Sequence, residues 1–239
     1  PLTAQTSKEL ASTSTAISVG IDRKLAAQAL RQNAEREQAV ALIVQRMRQT
    51  LNLETIFRTT TEELRQATRS DRTLIYQFNP DWSGRVIAES VGEAWLPIIP
   101  DRTNNPELVQ VSVDESTNCI IKRLNGTEVL IQDTYLQETQ GGFYRQKSNY
   151  CCVYDVAQQG FEDCYLELLE ALQARAYITV PIFCGNQLWG LLAIYQNSGP
   201  RQWQFAEVQM VFQVANQLGF AIQQAGLFSQ TQSQAAALQ

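Results

Sequence analysis

Residues 164–203 read CYLELLEALQARAYITVPIFCGNQLWGLLAIYQNSGPRQW and form the most strongly patterned run of the chain. Tyr165, Leu168, Leu169 and Leu172 recur at helical spacing. They predict a short helix beginning near Asp163, whose carboxylate is suited to cap the first turn. Ala176–Phe183 and Leu188–Gln196 are rich in β-branched, aromatic and aliphatic residues, with Cys184–Gly185–Asn186 between them as a turn. The two runs predict a tight β-hairpin. After Pro200–Trp203 a last helix follows, in which Val208, Val211, Ala215, Leu218, Ile222 and Ala225 step by three and four. That is the seam spacing of a coiled coil, with Phe205, Phe212 and Phe220 off the seam and expected to face the sheet.

Working toward the N-terminus, Arg72–Phe78 (RTLIYQF) and Arg85–Ser90 (RVIAES) flank Asn79–Pro80–Asp81 and Ser83–Gly84, a second hairpin signature. Ahead of it lie two helical patterns. One runs from about Ile21 to Thr50, with Val40, Ile43, Val44, Met47 and Leu51 as its apolar stripe; the other runs from about Leu53 to Ala67, with Ile56, Thr60, Leu64 and Ala67 on one side. Residues 1–20 are Ser/Thr-rich and read as a flexible polar leader. Between the hairpins, 95–133 reads as irregular, with Pro97, Pro100, Pro106 and the turn Asn125–Gly126, and 130–155 reads as a functional loop. The order predicts an α+β fold: an antiparallel sheet flanked by helices, with long N- and C-terminal helices.

Composition narrows the chemistry. Nineteen Lys and Arg against 24 Asp and Glu give a net charge of −5, which argues against nucleic acid as a partner. No apolar run approaches the ~18 residues of a membrane span. The chain contains no histidine, which removes His-ligated haem, Cys/His zinc sites, Ser–His and Cys–His nucleophile pairs and a phosphoaccepting histidine. Five cysteines (119, 151, 152, 164 and 184) show no CxxC spacing. An odd number without a secretory signal predicts reduced thiols and a cytoplasmic setting. Beginning at Pro1 rather than Met, the sequence reads as a piece of a longer chain. No base, metal site or phosphate-cradling glycine loop is evident, so an enzyme is not expected.

The run DRTLIYQFNPDWSGRVIAESVG (71–92), a long variable region, and then the quoted stretch resemble a GAF domain, and more narrowly the bilin-binding GAF domains of the cyanobacteriochromes, phytochrome-related photosensors. The resemblance covers about residues 40–228. It implies a polar leader over 1–20, an N-terminal signalling helix over 21–50, a bilin-binding GAF domain over 51–203 and a C-terminal signalling or coiled-coil helix over 204–239.

The same resemblance implies a linear tetrapyrrole, phycocyanobilin, attached covalently to Cys164. From residues alone Cys164 is either a buried free cysteine or a reactive thiol. The first turn of a helix favours the thiolate, although Glu162 and Asp163 oppose that effect. Tyr165 stands where relatives usually carry His: a phenol can hydrogen-bond and stack on the pigment but carries no positive charge. The relatives' Asp-x-Cys-Phe motif corresponds to Asp133–Thr134–Tyr135–Leu136. Tyr135 therefore replaces a second reactive cysteine, while Asp133 is expected to hold the pyrrole nitrogens of a protonated pigment; Asp114 and Glu115 are fallback acids. A second adduct through Cys119, Cys151 or Cys152 stays open, and Cys184 reads as structural. Arg145, beside Tyr144, is the expected partner of the propionates, ahead of Arg175 and Lys147. Phe143, Phe161 and Tyr177 are expected to line the pocket; Trp95 and Trp203 receive no role.

Together these imply a photosensory module that isomerises its pigment at the 15,16 double bond and switches between two absorbing states, a red or far-red one paired with orange or green. It would act on an output domain such as a kinase, with a homodimer through the terminal helices. The alternatives are a GAF sensor of a cyclic nucleotide or metabolite, and a dimerisation spacer.

Overall fold

The computed structural model describes residues 4–99, 119–124 and 128–237, with backbone alone for 4–22, 119–124, 128–132, Thr134, Cys164 and Ala237. Helix α1 runs Ala4–Met47. Its start lies well ahead of the expected one near Ile21, so the polar leader is helical from Ala4: no proline interrupts 4–20, and Ala, Gln, Lys, Glu and Leu there are good helix formers even without an apolar stripe. Up to Ala39 the helix is a unit by itself, on which Arg31 Nε donates to Glu35 one turn further on (2.9 Å).

Residues 40–239 form the second unit. Ile43 and Met47 at the end of α1 are buried in it, whereas Leu51 lies beyond the helix and is exposed. Helix α2 (Leu53–Thr68) starts where the Asn52 side chain accepts a hydrogen bond from Thr55 N (2.8 Å), and ends at Arg69 in the left-handed region (φ 51°). Strands β1 (Arg72–Phe78) and β2 (Gly84–Val91) form the first hairpin, β6 (Ala176–Cys184) and β7 (Gln187–Gln196) the second, and β1 pairs with β7 at the centre. The described strands make one seven-stranded antiparallel sheet in the order β3-β4-β2-β1-β7-β6-β5.

Two strands fall inside the region expected to be irregular. β3 (Cys119–Leu124) and β4 (Glu128–Asp133) pair antiparallel around the anticipated Asn125–Gly126 turn, which itself lies outside the described residues, as do Pro100, Pro106, Asp114 and Glu115. The expected loop 130–155 also gains structure: α3 (Thr134–Glu138), 3-10 turns at Gly142–Arg145 and Val156–Gln158, and β5 (Cys151–Val153). Helix α4 spans Asp163–Ala171 as expected, but no side chain caps its N-terminus; Asp163 is already its first helical residue.

Helix α5 (Phe205–Ala237) lies across β6 and β7. The stripe predicted as a coiled-coil seam is spent here: Val208, Val211, Ala215, Leu218, Ile222 and Ala225 are all buried within the chain's own core. An i, i+3, i+4 stripe suits a sheet as well as a partner helix, and residues 226–236 are exposed. Close approach is secured by Gly219, where a Cβ would fall 2.0 Å from the Phe183 carbonyl oxygen. Because the buried stripe owns the sheet-facing side, Phe205 and Phe220 are exposed rather than turned to the sheet, and Phe212 is half-buried against the Tyr150 ring (5.5 Å between centroids).

Strand alternation divides the sheet's side chains between two faces. Thr73, Ile75, Ile178, Val180, Ile182, Leu192 and Ile194, buried almost completely, take the face covered by α2 and α5. Leu74, Tyr76, Tyr177, Leu191, Ala193 and Tyr195 take the other.

Candidate functional site

On that second face the sheet is the floor of a cavity of about 840 Å3, within the range of small-molecule and cofactor sites. Leu74 and Tyr76 of β1, Tyr177 and Thr179 of β6, and Leu191, Ala193 and Tyr195 of β7 make the floor. The walls come from α4 and its approach (Phe161 to Leu172), from Asp133 to Leu136 at the β4–α3 junction, from Phe143 and Tyr144 of the first 3-10 turn, and from Cys151. Gly84 keeps the floor open at Tyr76, since a Cβ there would meet the Tyr76 ring at 2.0 Å.

Eight residues singled out in the sequence meet in this one space: Asp133, Tyr135, Phe143, Tyr144, Cys151, Phe161, Tyr165 and Tyr177. Cys164 is the second residue of α4, between Asp163 and Tyr165, both of which line the cavity; its side chain, like that of Cys119, lies outside the described residues. Arg145, expected to meet the propionates, is not brought into this lining with the other residues. It is exposed and absent from the lining, because neighbouring residues of a 3-10 turn diverge and Tyr144 takes the inward position. Lys147 is bound instead to the β6–β7 turn, through the Gly185 carbonyl (2.7 Å) and Asn186. Arg175 pairs with Asp155 (3.0 Å). Trp203 is buried and structural, donating from Nε1 to the Val153 carbonyl (3.0 Å) beneath Arg201.

Asp133 caps α3 by accepting from Leu136 N (3.1 Å), with its carboxyl turned to the cavity. Burial raises its pKa against two backbone N–H bonds that lower it. Tyr135, at the rim, accepts from Phe143 N (3.1 Å) and ties α3 to the following turn. Burial pushes the phenols of Tyr144, Tyr165, Tyr177 and Tyr195 well above their usual range and raises the Cys151 thiol too, so all five stay protonated near neutral pH. No Lys or Arg is among the described lining residues, while Asp133, Glu162 and Asp163 are. The site thus suits a large, flat, largely apolar body with a few hydrogen-bonding groups, and it tolerates positive charge better than negative.

At one end of the site a buried ion pair fixes the approach to the long connection. Arg72, on the cavity face of β1, pairs with Glu89 of β2, both side chains almost wholly buried. Arg72 Nη2 also donates to the Leu96 carbonyl (2.7 Å) and to Gln173 Oε1 (3.3 Å), and Glu89 Oε2 accepts from Ile98 N (2.8 Å) and Ile99 N (3.0 Å). Sequence reasoning missed this pair and also Tyr76, Thr179, Leu191, Ala193 and Tyr195; the strand alternation of β1, β6 and β7 was the available signal for their facing the site. Among the described residues no group of His, Cys, Asp or Glu could hold a metal ion, and no helix is long and apolar enough to cross a membrane.

The family model for the GAF domain matches residues 52–222. Among solved structures, the chain is similar to the photoproduct state of GAF3 from Slr1393 of Synechocystis sp. PCC6803, at 44% identity and a TM-score of 0.60, covering 76% of this chain and 99% of that one. It is also similar to the far-red absorbing dark state of JSC1_58120g3 with bound biliverdin IXa, at 34% identity and a TM-score of 0.61, covering 79% and 99%. Among curated proteins, it is 27% identical over 225 residues to the circadian input-output histidine kinase CikA of Synechococcus elongatus, covering 89% of this chain. The chain spans about a quarter or less of the length of the first curated relatives that it matches.

Proposed function

We propose, from the premise that the chain belongs to the GAF domain family, that it is the photosensory, bilin-binding module of a larger signalling protein. The observation that carries this reading is the aromatic cavity of about 840 Å3 bordered by the first turn of α4, in a chain 34–44% identical to GAF domains of light-absorbing proteins. Phycocyanobilin, when bound, would supply a conjugated system whose 15,16 double bond isomerises in light. Cys164 would hold it by a thioether. Asp133, whose carboxyl is short of solvation, would gain by accepting hydrogen bonds from protonated pyrrole nitrogens. Phe161, Tyr144 and Tyr135 would wall the ring system and exclude water, while Tyr165 and Tyr177 would offer neutral hydrogen bonds; Arg145 would reach a propionate only from outside the lining.

With Tyr at both 135 and 165, the expected colour pair is a red or far-red state with an orange or green one. Repacking of the walls would bias α1 and α5. The exposed Leu227 and Phe228 on the reach of α5 beyond the sheet would meet a second copy, and an output domain such as a kinase would read the change in the cytoplasm. The role is sensory, not catalytic.

The test is expression in a host that makes phycocyanobilin. Reversible colour change under alternating illumination, with zinc-enhanced fluorescence of the denatured band that Cys164→Ala abolishes, is the expected result. A colourless protein would refute the photoreceptor reading in favour of a different GAF ligand, and a coloured protein that loses its pigment on denaturation would refute the thioether.

A further inference from the structure

Segment 96–99, which leads from the first hairpin toward the long connection, is held by side chains throughout. Pro97 has no N–H, and each of the other three is taken. Leu96 N donates to Gln173 Oε1 (2.9 Å), and Ile98 N and Ile99 N donate to Glu89 Oε2 (2.8 and 3.0 Å). The Leu96 carbonyl accepts from Arg72 Nη2 (2.7 Å), which also donates to Gln173 Oε1 (3.3 Å). Gln173, Leu96 and Arg72 thus close a triangle in which each is bonded to the other two. Ile98 is buried in the same core cluster as Leu74, Tyr76 and Tyr177 of the cavity floor, and Ile99 packs against it.

The Gln173 corner of the triangle belongs to α4. That helix closes in a Schellman turn, with Gln173 N donating to the Glu170 carbonyl and Ala174 N to the Leu169 carbonyl (2.8 Å each). The turn requires a left-handed residue directly after the cap, where glycine is the usual occupant because a side chain is strained there. Gln173 takes the position at φ 55°. A glycine would make the same turn with less strain, but it has nothing with which to reach Leu96 and Arg72. On the other side, Leu168, Leu169 and Leu172 of the same last turn line the cavity. One turn of chain therefore faces the ligand space with its leucines and grips segment 96–99 with the next residue.

We propose that Gln173 is a positioning residue, a clasp through which the ligand-facing side of α4 and segment 96–99 are set as one unit. A ligand that displaces the leucines shifts the last turn of α4, and Gln173 carries the shift to Leu96, 77 residues away in sequence. The reverse holds with the same coupling free energy: whatever resets segment 96–99 changes how tightly α4 closes on the ligand. The consequence for a pigment rests on the function proposed above; the clasp itself does not.

Amide hydrogen exchange on the full chain tests it. In ligand-free protein Leu96 is an exposed residue whose N–H owes its protection to the Gln173 bond. Gln173→Gly keeps the left-handed turn and is expected to speed exchange at Leu96 about tenfold, the scale of one hydrogen bond, with the amides of β7 unchanged. Gln173→Glu keeps an acceptor oxygen and is expected to stay slow. Equal exchange at Leu96 in wild type and Gln173→Gly, or in the glycine and glutamate variants, overturns the clasp. Ile98→Ala, which loosens the segment, is expected to speed exchange of the Leu172 and Ala174 amides in an otherwise wild-type chain but not beside Gln173→Gly. No effect in either background, or one that survives in Gln173→Gly, overturns the coupling. In protein loaded with phycocyanobilin, exchange over 96–99 is expected to differ between the two coloured states, and Gln173→Gly is expected to abolish that difference. No difference in wild type, or one that persists in the variant, overturns transmission through Gln173. A wild type that stays colourless yet passes both ligand-free measurements refutes the pigment reading and supports the clasp.

Discussion

Arg72→Met is the substitution whose cost the structure defines most sharply. The Arg72 and Glu89 side chains are 0% and 4% exposed, so each is the other's main charge compensation. Removing the guanidinium leaves a buried carboxylate with only the Ile98 and Ile99 N–H groups, and frees the Leu96 carbonyl and Gln173 Oε1 from their shared donor. Breaking a buried pair from one side costs about 3–5 kcal/mol. With a urea m-value of about 2–3 kcal/mol/M for a chain of this size, the unfolding midpoint should fall by about 1–2 M. The pH dependence supplies a sharper check. Burial already raises the Glu89 pKa despite Arg72, and losing Arg72 raises it further. A carboxyl whose folded pKa lies above its unfolded value contributes its stability fully below the unfolded pKa and loses it as pH rises through the folded one. The deficit of the variant should therefore narrow between pH 7 and about pH 5 as Glu89 takes up a proton. Arg72→Met/Glu89→Leu, which removes both charges, should be more stable than Arg72→Met alone. Urea titrations followed by tryptophan fluorescence at both pH values decide the matter. A deficit below about 1 kcal/mol, as for an exposed pair, or one indifferent to pH, would refute the reasoning.

Three further outcomes follow from other contacts. Gly219→Ala places a methyl 2.0 Å from the Phe183 carbonyl oxygen, so α5 must lift off β6 at a cost of about 1–3 kcal/mol, visible as a lowered Tm. Asp71 accepts from Asn197 N (2.8 Å) and from Ser198 N and Oγ (2.9 Å each); burial raises its pKa, but these bonds outweigh it and the net shift is downward. Its stabilisation is present above the unfolded value of 3.8 and is lost as pH falls through the lower folded value, so Asp71→Asn should flatten the acid limb of the stability–pH profile. Trp203→Phe removes the donor to the Val153 carbonyl at the end of β5, and should lower stability by about 1–3 kcal/mol and accelerate hydrogen exchange in β5 before the rest of the sheet.

Both hairpins that form the centre of the sheet were legible, because 72–90 and 176–196 carry long β-rich runs around strong turn signals, and their register places Ile75 opposite Leu192 as a central pair should be. The β3–β4 hairpin was not, although CIIKRL and EVLIQD flank an Asn–Gly-type turn. The prolines upstream and the charged residues within each six-residue run mask a period of two. The α5 stripe exposes a deeper ambiguity: periodicity reports that one side of a helix is apolar but not what covers it. Val211 and Leu218 would pattern identically in a dimer seam and on a sheet, and their complete burial within the chain decides the question.

The site divides along the same line. Asp133, Tyr135 and Tyr165 could be proposed because the family resemblance places them by their motifs. The Cys151–Tyr177–Tyr165 contacts could not, because these residues are brought together only by tertiary pairing. β5 is three residues long, too short for any periodic signal, yet its pairing with β6 is what sets Cys151 against Thr179 and within reach of Tyr177. A thiol read as a loop cysteine thereby becomes the centre of a cavity wall. At the 3-10 turn Tyr144 takes the place facing the cavity, while the adjacent Arg145 keeps its charge in water. Selectivity in this cavity then falls to neutral hydrogen bonds and to Asp133, the one buried carboxylate facing the ligand space.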